Sequence, residues 1–175
     1  MVDVLGLVRE TAERLEGQPP DLSPATALAR AHTGFGALTL AAAVLSGQTN
    51  SRSDELAAVS LAVVEAHTHI AEVIGEDPLD EASDDRAVEL LADPETLPRI
   101  RVSARRLREA ALRVVNATRS ILAGAAAAAG LTPDLREAIH QAGAILDDIH
   151  LLLDGPAHLR TALAHDYYQR MVLDE

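Results

Sequence analysis

The sequence predicts an all-α fold: an antiparallel four-helix bundle built from two helical hairpins, with additional short N- and C-terminal helices. Three observations predict it. Apolar residues recur at helical spacing along nearly the whole chain, and nothing alternates with period two over a useful length. Alanine accounts for 33 of the 175 residues, whereas aromatic residues make up 2%. A core of Leu, Ile, Val and Ala with one Phe and no Trp suits closely packed helices and not a β-sandwich. The third observation is internal: two helical hairpins match position for position, as set out below.

The elements follow in order. A short amphipathic helix covers about Val2–Leu15 and stops at Gly17, with Pro19 and Pro20 beyond. Ser23-Pro24 supplies an N-cap and a proline for the first turn of a long helix ending near Gly47. After the loop Gln48–Ser53, a helix runs from about Asp54 to Ile74 and ends at Gly75. These two form hairpin one, about residues 23–75. An acidic crossover follows at 76–97, with one short helix expected near Asp84–Leu91; nine of its ten charges from Glu76 to Glu95 are negative. Hairpin two, about 98–155, begins with an Arg-rich helix from Pro98 to Gly130. Thr132-Pro133-Asp134 starts its second helix, which stops at Asp154-Gly155-Pro156. A last helix occupies about 156–173, so the chain reads as one domain. Short connections within each hairpin imply antiparallel neighbours.

Bulk composition narrows the function. The net charge of −12 argues against a nucleic-acid partner, because phosphate neutralisation supplies most non-specific affinity. Without cysteine there are no disulfides, no thiol catalysis and no Cys-based metal site. Met1–Gly17 is charged and lacks the form of a signal peptide, and the apolar part of Ala31–Ser51 is too short to span a bilayer. A cytoplasmic protein with no membrane partner is expected. All fifteen basic residues are Arg, which together with the Ala content suggests a GC-rich genome, such as an actinobacterial one.

Sliding Leu56–Gly75 forward by 79 lands it on Leu135–Asp154, with Val63 on Ala142, Ala66 on Ile145 and Ile70 on Ile149. The preceding helices align at an offset of 83, which puts Ala31 on Val114 and Leu38 on Ile121. Either a duplication or the shared pattern of amphipathic hairpins accounts for this. Against that background His32, Thr39, Ser60 and His67 face Val115, Leu122, Ile139 and Leu146. Burying polar groups costs free energy unless they find partners, so four on one seam need a reason. Counting from the hairpin turn places His32 and His67 within about two residues of one level, roughly 3 Å along the axis. Thr39 and Ser60 form a second level.

One reading makes these four residues a ligand-binding pocket inside the bundle, since an imidazole titrates near ~6.5 and both donates and accepts hydrogen bonds. The other makes them a buried polar pair that sets the register of the bundle. Asp147 and His150 have the i,i+3 spacing of a metal-binding pair, but hairpin one offers no inward carboxylate to match them. No metal site and no cofactor are expected. His69 and His140 fall on solvent faces, and His158 and His165 lie seven residues apart on a poorly amphipathic helix. His32-Thr33-Gly34-Phe35-Gly36-Ala37 resembles, over six residues, the His-containing helix of histidine phosphotransfer domains. The basic residue usual near that histidine is missing and His32 is expected to face inward, so no family is assigned on it.

Two functional expectations follow. One is a helical-bundle protein binding a small molecule in an interior polar pocket, as an accessory or catalytic protein of bacterial specialised metabolism. The alternative is a non-catalytic interaction or regulatory module acting through its charged surface helices. A homo-oligomer, most simply a C₂ dimer, is expected through a small-residue helix face such as Ala125–Ala129. An enclosed cavity at the histidine level would favour the first; a filled core there, with an exposed apolar patch elsewhere, would favour the second.

Overall fold

The structure, a computed structural model, describes residues 3–48, 53–75 and 101–173. Among these residues there are six helices and no strands. They are α1 (Val4–Glu16), α2 (Pro24–Gln48), α3 (Ser53–Ile74), α4 (Ala104–Ala126), α5 (Pro133–Asp154) and α6 (Ala157–Leu173). The short helix expected near 84–91 and most of the acidic crossover lie outside the described residues.

Helix boundaries follow local chemistry. The Asp3 side chain accepts from the Gly6 amide at 2.8 Å and starts α1. Ser23 Oγ accepts from the Thr26 amide at 3.2 Å, and Pro24 opens α2, where a missing N–H costs nothing. Thr132 and Pro133 repeat this device at the start of α5. Gly75, with φ of +76°, takes the left-handed conformation that ends α3.

The Arg-rich helix is shorter than expected. Residues 101–103 are not helical, because Ser103 is the N-cap and accepts from the Arg106 amide at 3.3 Å. At the other end, the Ala127 and Ala128 amides donate three residues back, to Gly124 and Ala125. Those tight turns unwind the chain ahead of Gly130, whose φ is +73°. The run Ala125–Ala129 is therefore not one helical face, and of its residues only Ala125 is buried. The small-residue stripe expected to pair two copies does not form.

α2 packs against α3 and α4, and α5 packs against the same two helices; α1 lies on α4 and α2, and α6 lies on α3 and α5. This packing is consistent with a four-helix bundle carrying a helix on each flank. Leu28, Phe35, Leu38, Ile70, Leu107, Leu146, Ile149 and Leu152 are fully buried between these helices. Each such side chain contributes about 1.5–3 kcal/mol through removal from water. At Gly34 α2 and α4 lie close together: a Cβ added there would lie 2.4 Å from Thr118 Oγ1. Thr118 is wholly buried, and its hydroxyl donates to the Val114 carbonyl of its own helix at 2.7 Å.

By length and composition, α2 and the stretch Asp54–Ile74 are each apolar enough to cross a membrane. The expectation of too short an apolar run thus does not hold for the helix as a whole. The apolar window is 67% buried inside the fold in α2 and 33% buried in the stretch Asp54–Ile74.

Candidate functional site

The hairpin α2–α3 brings two of the four seam residues into direct contact. The rings of His32 and His67 stack with centroids 3.9 Å apart and planes within 10° of parallel. Phe35, one turn from His32, meets the His67 ring edge-on at a centroid distance of 6.2 Å. Two antiparallel helices with equal spans back from their turn produce this register. Burial first, then the charge of His32, pushes the His67 pKa down to about 4, against a smaller upward effect of a hydrogen bond to the His32 backbone. His67 Nε2 is buried and has no hydrogen-bond partner. An orphaned polar atom of this kind costs roughly 1–3 kcal/mol.

The second level differs. Thr39 directs its hydroxyl to the Phe35 carbonyl of its own helix at 3.2 Å, not across to Ser60. All four seam residues are half-buried, whereas the aliphatic counterparts Val115, Leu122, Ile139 and Leu146 are buried. The seam therefore reaches the surface and is not the interior pocket that the helical wheel suggests. A water-facing margin leaves polar side chains part of their hydration, which His67 Nε2 on the same seam nevertheless lacks.

The stacked geometry does not make a metal chelate, since in-plane lone pairs on parallel rings do not converge on one point. Among the described residues, no group of three or more His, Cys, Asp or Glu side chains gathers as a metal site. Asp147 pairs with Arg119 at 2.7 Å and is thus engaged away from His150, whose Nδ1 is buried without a partner. His140, His158 and His165 are exposed, while His69 is half-buried and not fully on a solvent face.

Arginines of α4 meet carboxylates. Arg105 pairs with Glu109 at 3.1 Å along the helix, and Arg113 reaches Glu16 on α1.

Sequence reasoning missed the clamp that seats α6. Arg160 pairs with Glu55 at 2.8 Å in a largely buried setting, and Thr161 donates to the same carboxylate at 3.2 Å. The Tyr168 hydroxyl donates to the Asp54 carbonyl at 2.7 Å. The Tyr167 hydroxyl donates to Asp148 at 2.6 Å, and Arg170 lies 4.7 Å above the Tyr167 ring while pairing with Glu65 at 3.2 Å. Burial raises the Asp148 pKa against the lowering effect of the Tyr167 hydrogen bond, and burial with Asp148 raises that of Tyr167. These partners lie more than a hundred residues apart on α3 or on different helices, so no sequence spacing announces them.

A hollow of about 390 Å³ lies where the α1–α2 connection meets α4, lined by Gln18, Pro20, Asn116 and Ser120 among others, away from the histidine pair. No protein-family model, curated protein or solved structure matches this chain. Its function rests on its own residues.

Proposed function

We propose that the chain is a four-helix-bundle protein that binds a small polar molecule at the α2–α3 seam, with His32 and His67 as the contact residues and Thr39 and Ser60 beside them. One observation carries the reading: His67 Nε2 is buried without a partner, next to a second imidazole, on a seam that reaches the surface. A ligand that separates the stacked rings and hydrogen-bonds that nitrogen removes an energetic cost the free protein bears. Binding is favoured over catalysis, because a histidine whose pKa is near 4 is a weak general base at neutral pH. An accessory role in bacterial specialised metabolism and a cytoplasmic location belong to the same proposal. The net charge of −12 supports the absence of a nucleic-acid partner.

The test is native mass spectrometry of the protein purified from its own host, compared with the double variant His32→Val, His67→Leu. That variant installs the residue types found at Val115 and Leu146, so it should stay folded. A bound mass present in the wild type and absent from the variant is expected. A ligand retained by the variant would refute the site. The rings also fill the space between them, and four of the five exposed large apolar side chains among the described residues lie on α6. A filled space at the histidine level with exposed apolar side chains elsewhere supports the second reading by the criterion drawn from the sequence: a non-catalytic interaction or regulatory module acting through its surface helices.

A further inference from the structure

We infer, on the seam reading above, that the ligand of the α2–α3 seam is a hydrogen-bond donor, a hydroxyl or an amine on a small apolar body, and not an anion. The geometry of His67 carries this. Its ring is hydrogen-bonded to the His32 backbone. The amide N–H at position 32 is spent inside α2, on the carbonyl four residues back, so the ring donates to the His32 carbonyl. Nε2 has no hydrogen-bond partner, so the donating nitrogen is Nδ1. Burial and His32 together keep the ring neutral at physiological pH. A neutral imidazole carries one N–H, and with that proton on Nδ1 the buried Nε2 is a bare lone pair. An atom that bonds it must bring a hydrogen. A carboxylate or phosphate oxygen brings only lone pairs of its own.

The seam also offers room beside that pair. From the stacked rings, four residues on along α2 and three back along α3 lead to Gly36 and Val64. In an antiparallel hairpin these two stand near one level, between the histidines and the pair Thr39 and Ser60. At about 100° per residue, positions 32, 36 and 39 share one side of α2, and 60, 64 and 67 share one side of α3. A Cβ at Gly36 would meet nothing within 4 Å outside its own helix, and Val64 is 63% exposed. Helical side chains lean over the preceding turn, so the one missing at position 36 leaves the His32 carbonyl uncovered. About one turn further on, Thr39 spends its hydroxyl proton on the Phe35 carbonyl at 3.2 Å, and its oxygen too is left as an acceptor. Acceptors on either side of an apolar step match a molecule that joins donor hydrogens to a small hydrocarbon body. None of these six positions is an Arg, the cation an anionic ligand would need, and the net charge of −12 repels anions further.

Nitrogen NMR of the histidine rings tests this in the full chain at neutral pH. In the free protein His67 should show a protonated Nδ1 and a bare Nε2. Isobutanol, isobutylammonium and isobutyrate share one apolar body and differ in the head group, so they serve as probes. The alcohol or the ammonium should move the His67 Nε2 resonance saturably, with a Kd about tenfold or more below that of the carboxylate, as one hydrogen bond made or lost requires. Which of the two binds tighter separates a hydroxyl ligand from an amine. Gly36→Leu fills the open step and should weaken the preferred probe about tenfold or more, with helicity unchanged by circular dichroism. A proton on Nε2 in the free protein, a carboxylate that binds as tightly as the other probes, or unchanged binding to Gly36→Leu would overturn the donor assignment and leave the seam reading standing. Silence of both histidines toward all three probes would overturn the seam reading itself, and the ligand class with it.

Discussion

Hairpins α2–α3 and α4–α5 share a pattern and differ at four aligned positions. At the first pair of positions the structure holds two stacked imidazoles; at the corresponding places Val115 and Leu146 are wholly excluded from water. The second pair sets Thr39 and Ser60, both half-buried, against the buried Leu122 and Ile139. Aliphatic side chains at those places seal their hairpin, because every methylene removed from water adds to stability. Polar side chains on the same scaffold leave the other hairpin open to solvent along one margin. Similar helical frames thus support either a closed core or an accessible polar seam, according to four side chains.

The comparison breaks most sharply if chemistry is moved from the open seam to the sealed one. Leu146→His should destabilise the fold by about 2–4 kcal/mol, combining lost apolar burial with an imidazole that has no partner. Chemical denaturation would measure it; a loss under about 1 kcal/mol would mean that the α4–α5 seam admits water as readily as its counterpart.

Acid sharpens the contrast with a smaller effect. His67 titrates near 4 in the folded chain and near its ordinary ~6.5 when unfolded, so between those values the unfolded chain binds more protons. Stability is full above about pH 6.5, falls as pH drops toward about 4, and levels off below that. Because His67 keeps some solvent access, about 1–2 kcal/mol is expected from this group across the window. Denaturation curves at several pH values should show the slope in the wild type and a shallower one in His32→Val, His67→Leu. An unchanged slope in the double variant would assign the acid sensitivity to other groups.

The smallest effect belongs to the second level. Thr39→Val removes a hydroxyl that bonds only its own helix at a half-buried site, and should change stability by no more than about 0.5 kcal/mol. A larger loss in the melting curve would mean that Thr39 bridges to α3 in solution.

Much of the fold is legible in the linear sequence. Ser23-Pro24, Thr132-Pro133 and Gly75 set helix ends through contacts within a few residues, and such signals survive in a linear sequence. The level shared by His32 and His67 was legible for the same reason: a short turn and a fixed rise per residue convert counting into height. Exposure was not. Whether a face meets a neighbour or water depends on where the other helices lie, and the four residues expected inside the bundle sit at its margin.

The linear sequence by itself determined the helical class, most helix limits, the polar–aliphatic contrast between the hairpins and the pairing level of the two histidines. Each of these depends on neighbours near in the chain or on strict helical repetition. Tertiary structure alone decided that the imidazoles stack, that the polar seam lies at the margin of the bundle, and that α6 is clamped through Glu55, Glu65 and Asp148. Those outcomes join side chains far apart in the chain, or turn on which face a neighbouring helix covers. Distance and burial between such groups arise only when the whole chain has packed.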